Sequence, residues 1–260
     1  MNNQMPDRAL GTSPQLYAKV AGVIWLIVAI MAPFAEFFVR QGLIVPGNVA
    51  ATADNIVASQ SLFRAGFASD LVVFVIEVVL AAVLFVLFRP VSPILALVMS
   101  FARLAMVTIL GLNLLNMFTA LQLLTSPEYA AAFDQGQLQA LAYVFLNAQS
   151  YGYALGMAFF GLHLGALGYL VYRSGFLPRI LGILMVVSAL GYLADSFTGF
   201  LVPQYADTLA LVVVVTALIG ELPLALWLLI KGVNAERWHQ HAAASTTAVR
   251  PALEVVSAAA

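Results

Sequence analysis

An all-α bundle of six membrane-crossing helices is the fold class this sequence predicts. Three observations carry the prediction. The chain of 260 residues is 63% hydrophobic and 9% charged, against about 45–50% and about 25% in an ordinary soluble domain. It holds several apolar runs of about 20 residues, each long enough to cross a hydrocarbon layer. Its cationic residues gather on alternate loops. The same numbers exclude other classes: Cys is 0, which removes a disulfide scaffold, and Lys+Arg 11 against Asp+Glu 12 speaks against a nucleic-acid partner.

In chain order, residues 1–17 read as a flexible cytoplasmic tail, polar and Pro-containing, without the cationic start and short apolar core of a signal peptide. Residues 18–238 read as the transmembrane domain, with spans at about Ala18–Phe38, Phe67–Phe88, Ile94–Leu121, Gln149–Tyr172, Ile180–Leu201 and Leu209–Ile230. Both termini are expected to be cytoplasmic. On that assignment Arg8, Lys19, Arg89, Arg173, Arg179, Lys231, Arg237 and Arg250 lie inside, while the outer loops hold only Arg40 and Arg64. Inner turns at 89–93 and 173–179 carry the Pro and Gly residues that separate successive helices. The outer stretches Thr52 to Arg64 and Tyr129 to Phe133 read as segments lying along the interface or capping the helix ends as loops, the second with one or two helical turns. Asp134 with Gln137 has the pattern of a capping box, so the fourth helix is expected to begin outside the membrane, bend or tilt. The Ala/Ser/Thr-rich residues 239–260 have no apolar period and are expected to be a disordered cytoplasmic tail.

The first and last hairpins share an order of features. Lys19-x-x-Gly22, Glu36, Ile44-Val45-Pro46, Glu77-x-x-Leu80-Ala81 and Arg89 correspond to Arg179-x-x-Gly182, Asp195, Leu201-Val202-Pro203, Glu221-x-x-Leu224-Ala225 and Lys231. Such a parallel repeat implies a pseudo-two-fold axis along the membrane normal.

Charged side chains within the spans are the strongest candidates for function, because an ionised group at mid-bilayer costs roughly 2.5–3.5 kcal/mol on insertion scales. Glu36, Asp70, Glu77, Asp195 and Glu221 are all within or at the end of a span, and the only cations assigned to comparable depth are Arg103 and His163. Glu77 and Glu221 are placed near the midplane, whereas Glu36, Asp70 and Asp195 form an outer tier. Arg103 is expected to pair with Glu77 or Glu221. A pair fixes helix register, but surplus acids have no packing purpose, so these seven residues form the candidate ligand- or ion-binding set.

Small residues mark the helix contacts. Gly152 with Gly156, and Gly161 with Gly165, give the fourth span two close-approach stripes, with His163 on the first; Asn113 and Asn116 share a face of the third. Pro33 precedes Glu36 by one turn and Pro223 follows Glu221, and each removes a helix hydrogen bond and frees a carbonyl. The sequence has no Walker loop, dinucleotide fingerprint, His-Glu-x-x-His or Gly-x-Ser-x-Gly, so neither a cofactor nor a metal site is expected.

The blocks 43–71 (LIVPGNVAATADNIVASQSLFRAGFASDL), Asn113-Leu114-Leu115-Asn116, YGYALGMAFFGLH and YRSGFLPRILG within 151–195, and the ending GELPLALWLLIKGV resemble the DUF4386 family of bacterial membrane proteins. That resemblance spans about Leu16 to Trp238. It implies a multi-pass protein of the bacterial cytoplasmic membrane and no activity.

Three functions compete at this level. The first is binding or translocation of a small ligand or cation through an acidic intramembrane pocket open to the outer face, in a protein surrounded by lipid and completed as a homodimer. In the second, buried charges only specify helix pairing in a structural or sensory membrane protein. The third is an intramembrane enzyme using a carboxylate base on a lipid-like substrate.

Overall fold

The computed structural model describes residues 13–245. The expectations for residues 1–12 and 246–260 lie outside the described residues. Among those described, the structure is helical without strands: α1 Pro14–Leu43, α2 Val49–Ala58, α3 Gln60–Phe88, α4 Pro93–Thr125, α5 Pro127–Ala132, α6 Gln135–Ser174, α7 Arg179–Leu201, α8 Ala206–Ile230 and α9 over residues 235–245. Six of them, α1, α3, α4, α6, α7 and α8, are long and apolar enough to cross a membrane, the architecture of a multi-pass membrane protein.

Local chemistry sets the helix ends. Ser13 and Ser92 cap α1 and α4, each followed by a proline at the first helical position, where a missing N–H costs nothing. The Asp134 carboxylate accepts from Gln137 N at 2.8 Å while Gln137 Oε1 accepts from Asp134 N at 3.2 Å, completing the expected capping box. Gly175, at φ 66°, ends α6 in the left-handed conformation that glycine adopts without penalty. At 40 residues and 1.5 Å per residue, α6 is about 60 Å long, so it starts well beyond one membrane width.

Several boundaries differ from the reading of the sequence, that of α3 among them, which begins at Gln60 and so carries Arg64, read as a loop charge. Helix α1 begins at Pro14 and runs on to Leu43, through a π-helical stretch at Phe34–Arg40 that follows Pro33. Arg40 therefore belongs to a spanning helix and is 8% exposed, not a loop charge as the cation count assumed. At the other end, helix continues over 235–245, where a structureless tail was expected from His239. The anchor is Trp238: it is 4% exposed and its indole N–H donates to Leu87 O at 2.9 Å. Arg237 Nη1 adds a bond to Gly175 O at 2.8 Å. We call the face that α9 covers, with the turns at Arg89 and Gly175, the inner face.

The six long helices form a closed ring. Each packs on its neighbours in chain order, and α8 closes on α1. Gly156 lies against Leu110 of α4 and Gly161 against Leu193 and Ala189 of α7, so the two glycine stripes of α6 serve two different contacts. In this ring the first and last hairpins are neighbours. Gly22 of α1 approaches Ala225 and Leu229 of α8, and Gly182 of α7 approaches Gly168 and Tyr172 of α6: each hairpin's first helix rests on the helix before it in the ring.

Two apolar cores close the ends unequally. Ala18, Leu84, Phe88, Met99, Leu167 and Leu228 pack the inner half solidly. A second cluster, including Val39, Ile56, Phe63, Met117 and Leu138, caps the outer ends of α1, α3, α4 and α6 through α2. The outer ends of α7 and α8 lack that cap, and Leu201 and Leu211 are 73% and 67% exposed. Apolar residues exposed in this way all around the ring are what acyl chains cover.

Candidate functional site

The outer half of the ring encloses a cleft of about 390 Å3 to which all six long helices contribute. All five acids singled out in the sequence, Glu36, Asp70, Glu77, Asp195 and Glu221, line it. Arg103 and His163 lie beneath its floor.

On that floor the Arg103 guanidinium holds the Glu77 carboxylate through a fork: Nε donates to Oε2, and Nη2 to Oε1 at 2.8 Å. Both groups are nearly sealed, at 1% and 2% exposure. Nη1 of Arg103 lies 2.6 Å from His163 Nε2, and His163 Nδ1 lies 2.8 Å from Met99 O. A guanidinium only donates, so Nε2 accepts and the ring carries its proton on Nδ1. His163 thus positions Arg103 and does not face the cleft. The Trp25 and Phe160 rings take up the faces of the same guanidinium, at 5.2 and 5.7 Å from Cζ.

Glu221, also on the floor, is held differently. Its Oε2 accepts from Trp25 Nε1 at 3.2 Å and its Oε1 from the Tyr192 hydroxyl at 3.0 Å. Among the described residues it forms no ion pair.

The rim is organised by a residue that the reading of the sequence placed outside. Arg40 Nε donates to Glu36 Oε2 at 2.6 Å, Nη1 donates to Asp70 Oδ2 at 2.5 Å, and the Tyr153 ring lies 5.8 Å from Cζ. Asp70 is buried and Glu36 keeps a side chain 33% exposed. Asp195, half-buried on α7, forms no ion pair or side-chain hydrogen bond among the described residues. The α4–α6 wall is tied by Asn113, whose Nδ2 donates to Gln149 O at 2.8 Å and whose Oδ1 accepts from Asn116 at 2.9 Å.

So five acids line one cleft, with Arg40 at its rim and Arg103 beneath its floor. Three carboxylates, Glu36, Asp70 and Glu77, are matched by Arg40 and Arg103; two, Asp195 and Glu221, have no cation. No three His, Asp or Glu side chains cluster as metal ligands among the described residues. The participants not foreseen are Arg40, Trp25, Tyr153, Tyr192 and Gln149. For Arg40 a signal existed, since Glu36 lies four residues before it on one helical face; the aromatic residues and Gln149 are ordinary in a membrane helix.

The family model for a domain of unknown function, DUF4386, matches residues 20–232. An uncharacterised protein of Archaeoglobus fulgidus is 32% identical over 160 residues, covering 62% of this chain and 79% of that relative. No solved structure matches.

Proposed function

The chain belongs to the DUF4386 family, whose description carries no activity, and from the cleft we propose that it binds a small cationic ligand within the membrane. The observation that carries this is the imbalance of charge in one enclosed space: two carboxylates, Asp195 and Glu221, line the cleft without a cation. A cation bound beside either carboxyl group supplies the positive partner that packing leaves out. Glu221 also stands beside Trp25 and Tyr192, whose N–H and O–H fix its two oxygens at the floor of the cleft. Binding is the reading offered here; translocation would also require the packed inner core to part.

A structural role for the charges has its own support. Arg103 with Glu77 joins α4 to α3, and Arg40 with Asp70 joins α1 to α3, so these two pairs fix helix register. The binding proposal rests on the other two acids. Calorimetric titration with methylammonium tests it. Glu221→Gln should weaken binding about tenfold or more, and Asp195→Asn should weaken it less, in line with its greater exposure. Equal binding by all three proteins would refute the assignment.

A further inference from the structure

The walls of the cleft are unequally closed. Its lining positions on α3 and α4, such as Asp70, Val73, Glu77, Met106 and Leu110, are buried. With the exception of Tyr153, its exposed lining residues fall on α1 and α8: Ala29, Phe37, Val214, Leu218 and Leu222. These residues border the cleft and the outer perimeter at once. Toward the inner face the same two helices are clamped, because a Cβ on Gly22 would stand 2.6 Å from Leu229 N and 2.9 Å from Ala225 O. Above the clamp, α1 and α8 flank a slot. The perimeter on either side of it is apolar, with Ile30 72% and Leu211 67% exposed, so the slot faces hydrocarbon and not water.

We propose that the ligand is an amphiphilic ammonium compound, an amine head on an apolar body, that enters from the lipid through the slot between α1 and α8. This deepens the cation-binding reading and rests on it. Glu221 at the foot of the cleft takes the head, between Trp25 and Tyr192. About three turns outward of Phe160 on α6, the Gln149 side chain lines the same cleft at 5% exposure without a hydrogen-bond partner among the described residues, a polar group left free on the cleft wall. Val213, Val214, Ala217 and Leu218 then lie along the body. A bare cation has little tendency to enter hydrocarbon, whereas the methylenes of a tail draw the molecule into the membrane and carry the head to the slot.

Two ligands with the same head separate the parts of this proposal. Decylammonium and methylammonium would be titrated into the protein in lipid nanodiscs, with empty discs subtracted, for wild type, Glu221→Gln and Ala29→Trp. Expected are decylammonium binding at least about tenfold tighter than methylammonium, loss of both on Glu221→Gln, and association of decylammonium slowed about tenfold by Ala29→Trp. Equal affinity for the two amines, both dependent on Glu221, overturns the amphiphilic ligand and leaves the cation reading standing. An unchanged decylammonium association rate in Ala29→Trp overturns the lateral route. No binding of either amine, or binding indifferent to Glu221→Gln, overturns both readings. Ala29 is exposed on the slot, so its replacement leaves the helix contacts intact.

Discussion

Trp25 and Glu221, 196 residues apart in the chain, meet where the first and last long helices close the ring, the indole N–H donating to Oε2 at 3.2 Å. One of the two acids that lack a cation is therefore set at the seam of the fold, held by neutral donors. Those donors orient the carboxyl group without placing a cation beside it, which separates Glu221 from the three arginine-bound acids.

Removing one of those donors should be measurable. Trp25→Phe and Tyr192→Phe each delete one hydrogen bond to Glu221, and each is expected to lower stability by about 1–3 kcal/mol, the usual range for a buried acceptor losing its partner. Thermal unfolding in detergent reads the effect. No change in either variant would mean that Glu221 is not seated as described.

The floor pair makes a prediction about non-additivity. Glu77→Leu alone leaves the Arg103 charge buried at 1% exposure and should cost about 3–5 kcal/mol. Joined with Arg103→Met, most of that loss should return. A double-mutant cycle in chemical denaturant checks the coupling; strictly additive losses would deny it.

The two rim acids should behave unequally although one arginine holds both. Asp70 has a side chain 6% exposed, and Asp70→Asn should destabilise clearly, by about 3–5 kcal/mol. Glu36, at 33%, sits near the regime of exposed pairs, where Glu36→Gln is worth about 0–1 kcal/mol. Comparing the melting temperatures of the two variants decides it, and the reverse order would contradict the rim geometry.

Two glycines separate a tight helix crossing from an ordinary position. Gly22→Ala drives a methyl group into the backbone of α8 and should destabilise the α1–α8 seam by about 1–3 kcal/mol. A Cβ on Gly111 meets nothing within 4 Å, so Gly111→Ala should be neutral or stabilising by up to about 1 kcal/mol. Unfolding of the two variants side by side provides the check.

Much of this was legible in the residues because strong physics marks it. A run of apolar residues has one stable fate in lipid, and the spans, the Asp134 capping box and the Arg103–Glu77 pair follow from length, spacing and depth. Arg40 was misplaced because it lies just beyond the apolar run, where a count of residues ends a helix; the π-helical stretch after Pro33 carries the helix on and Arg40 into the bundle. Residues 239–245 have too little apolar character to signal a helix, and their order depends on tertiary contacts, among them Trp238 on Leu87 and His241 against Phe176. Trp25, Tyr192 and Gln149 gain their meaning only from the ring closure, since their partners lie on helices distant in sequence.

The most direct test of the central claim is thermal unfolding with and without methylammonium, in the wild type and in Glu221→Gln. A cation-binding cleft predicts that the amine raises the wild-type melting temperature progressively with concentration, and that Glu221→Gln unfolds within a few degrees of wild type yet no longer responds. A Glu221→Gln protein that is badly destabilised, beside a wild type whose unfolding methylammonium does not move, would contradict it and leave the acids as parts of the helix packing.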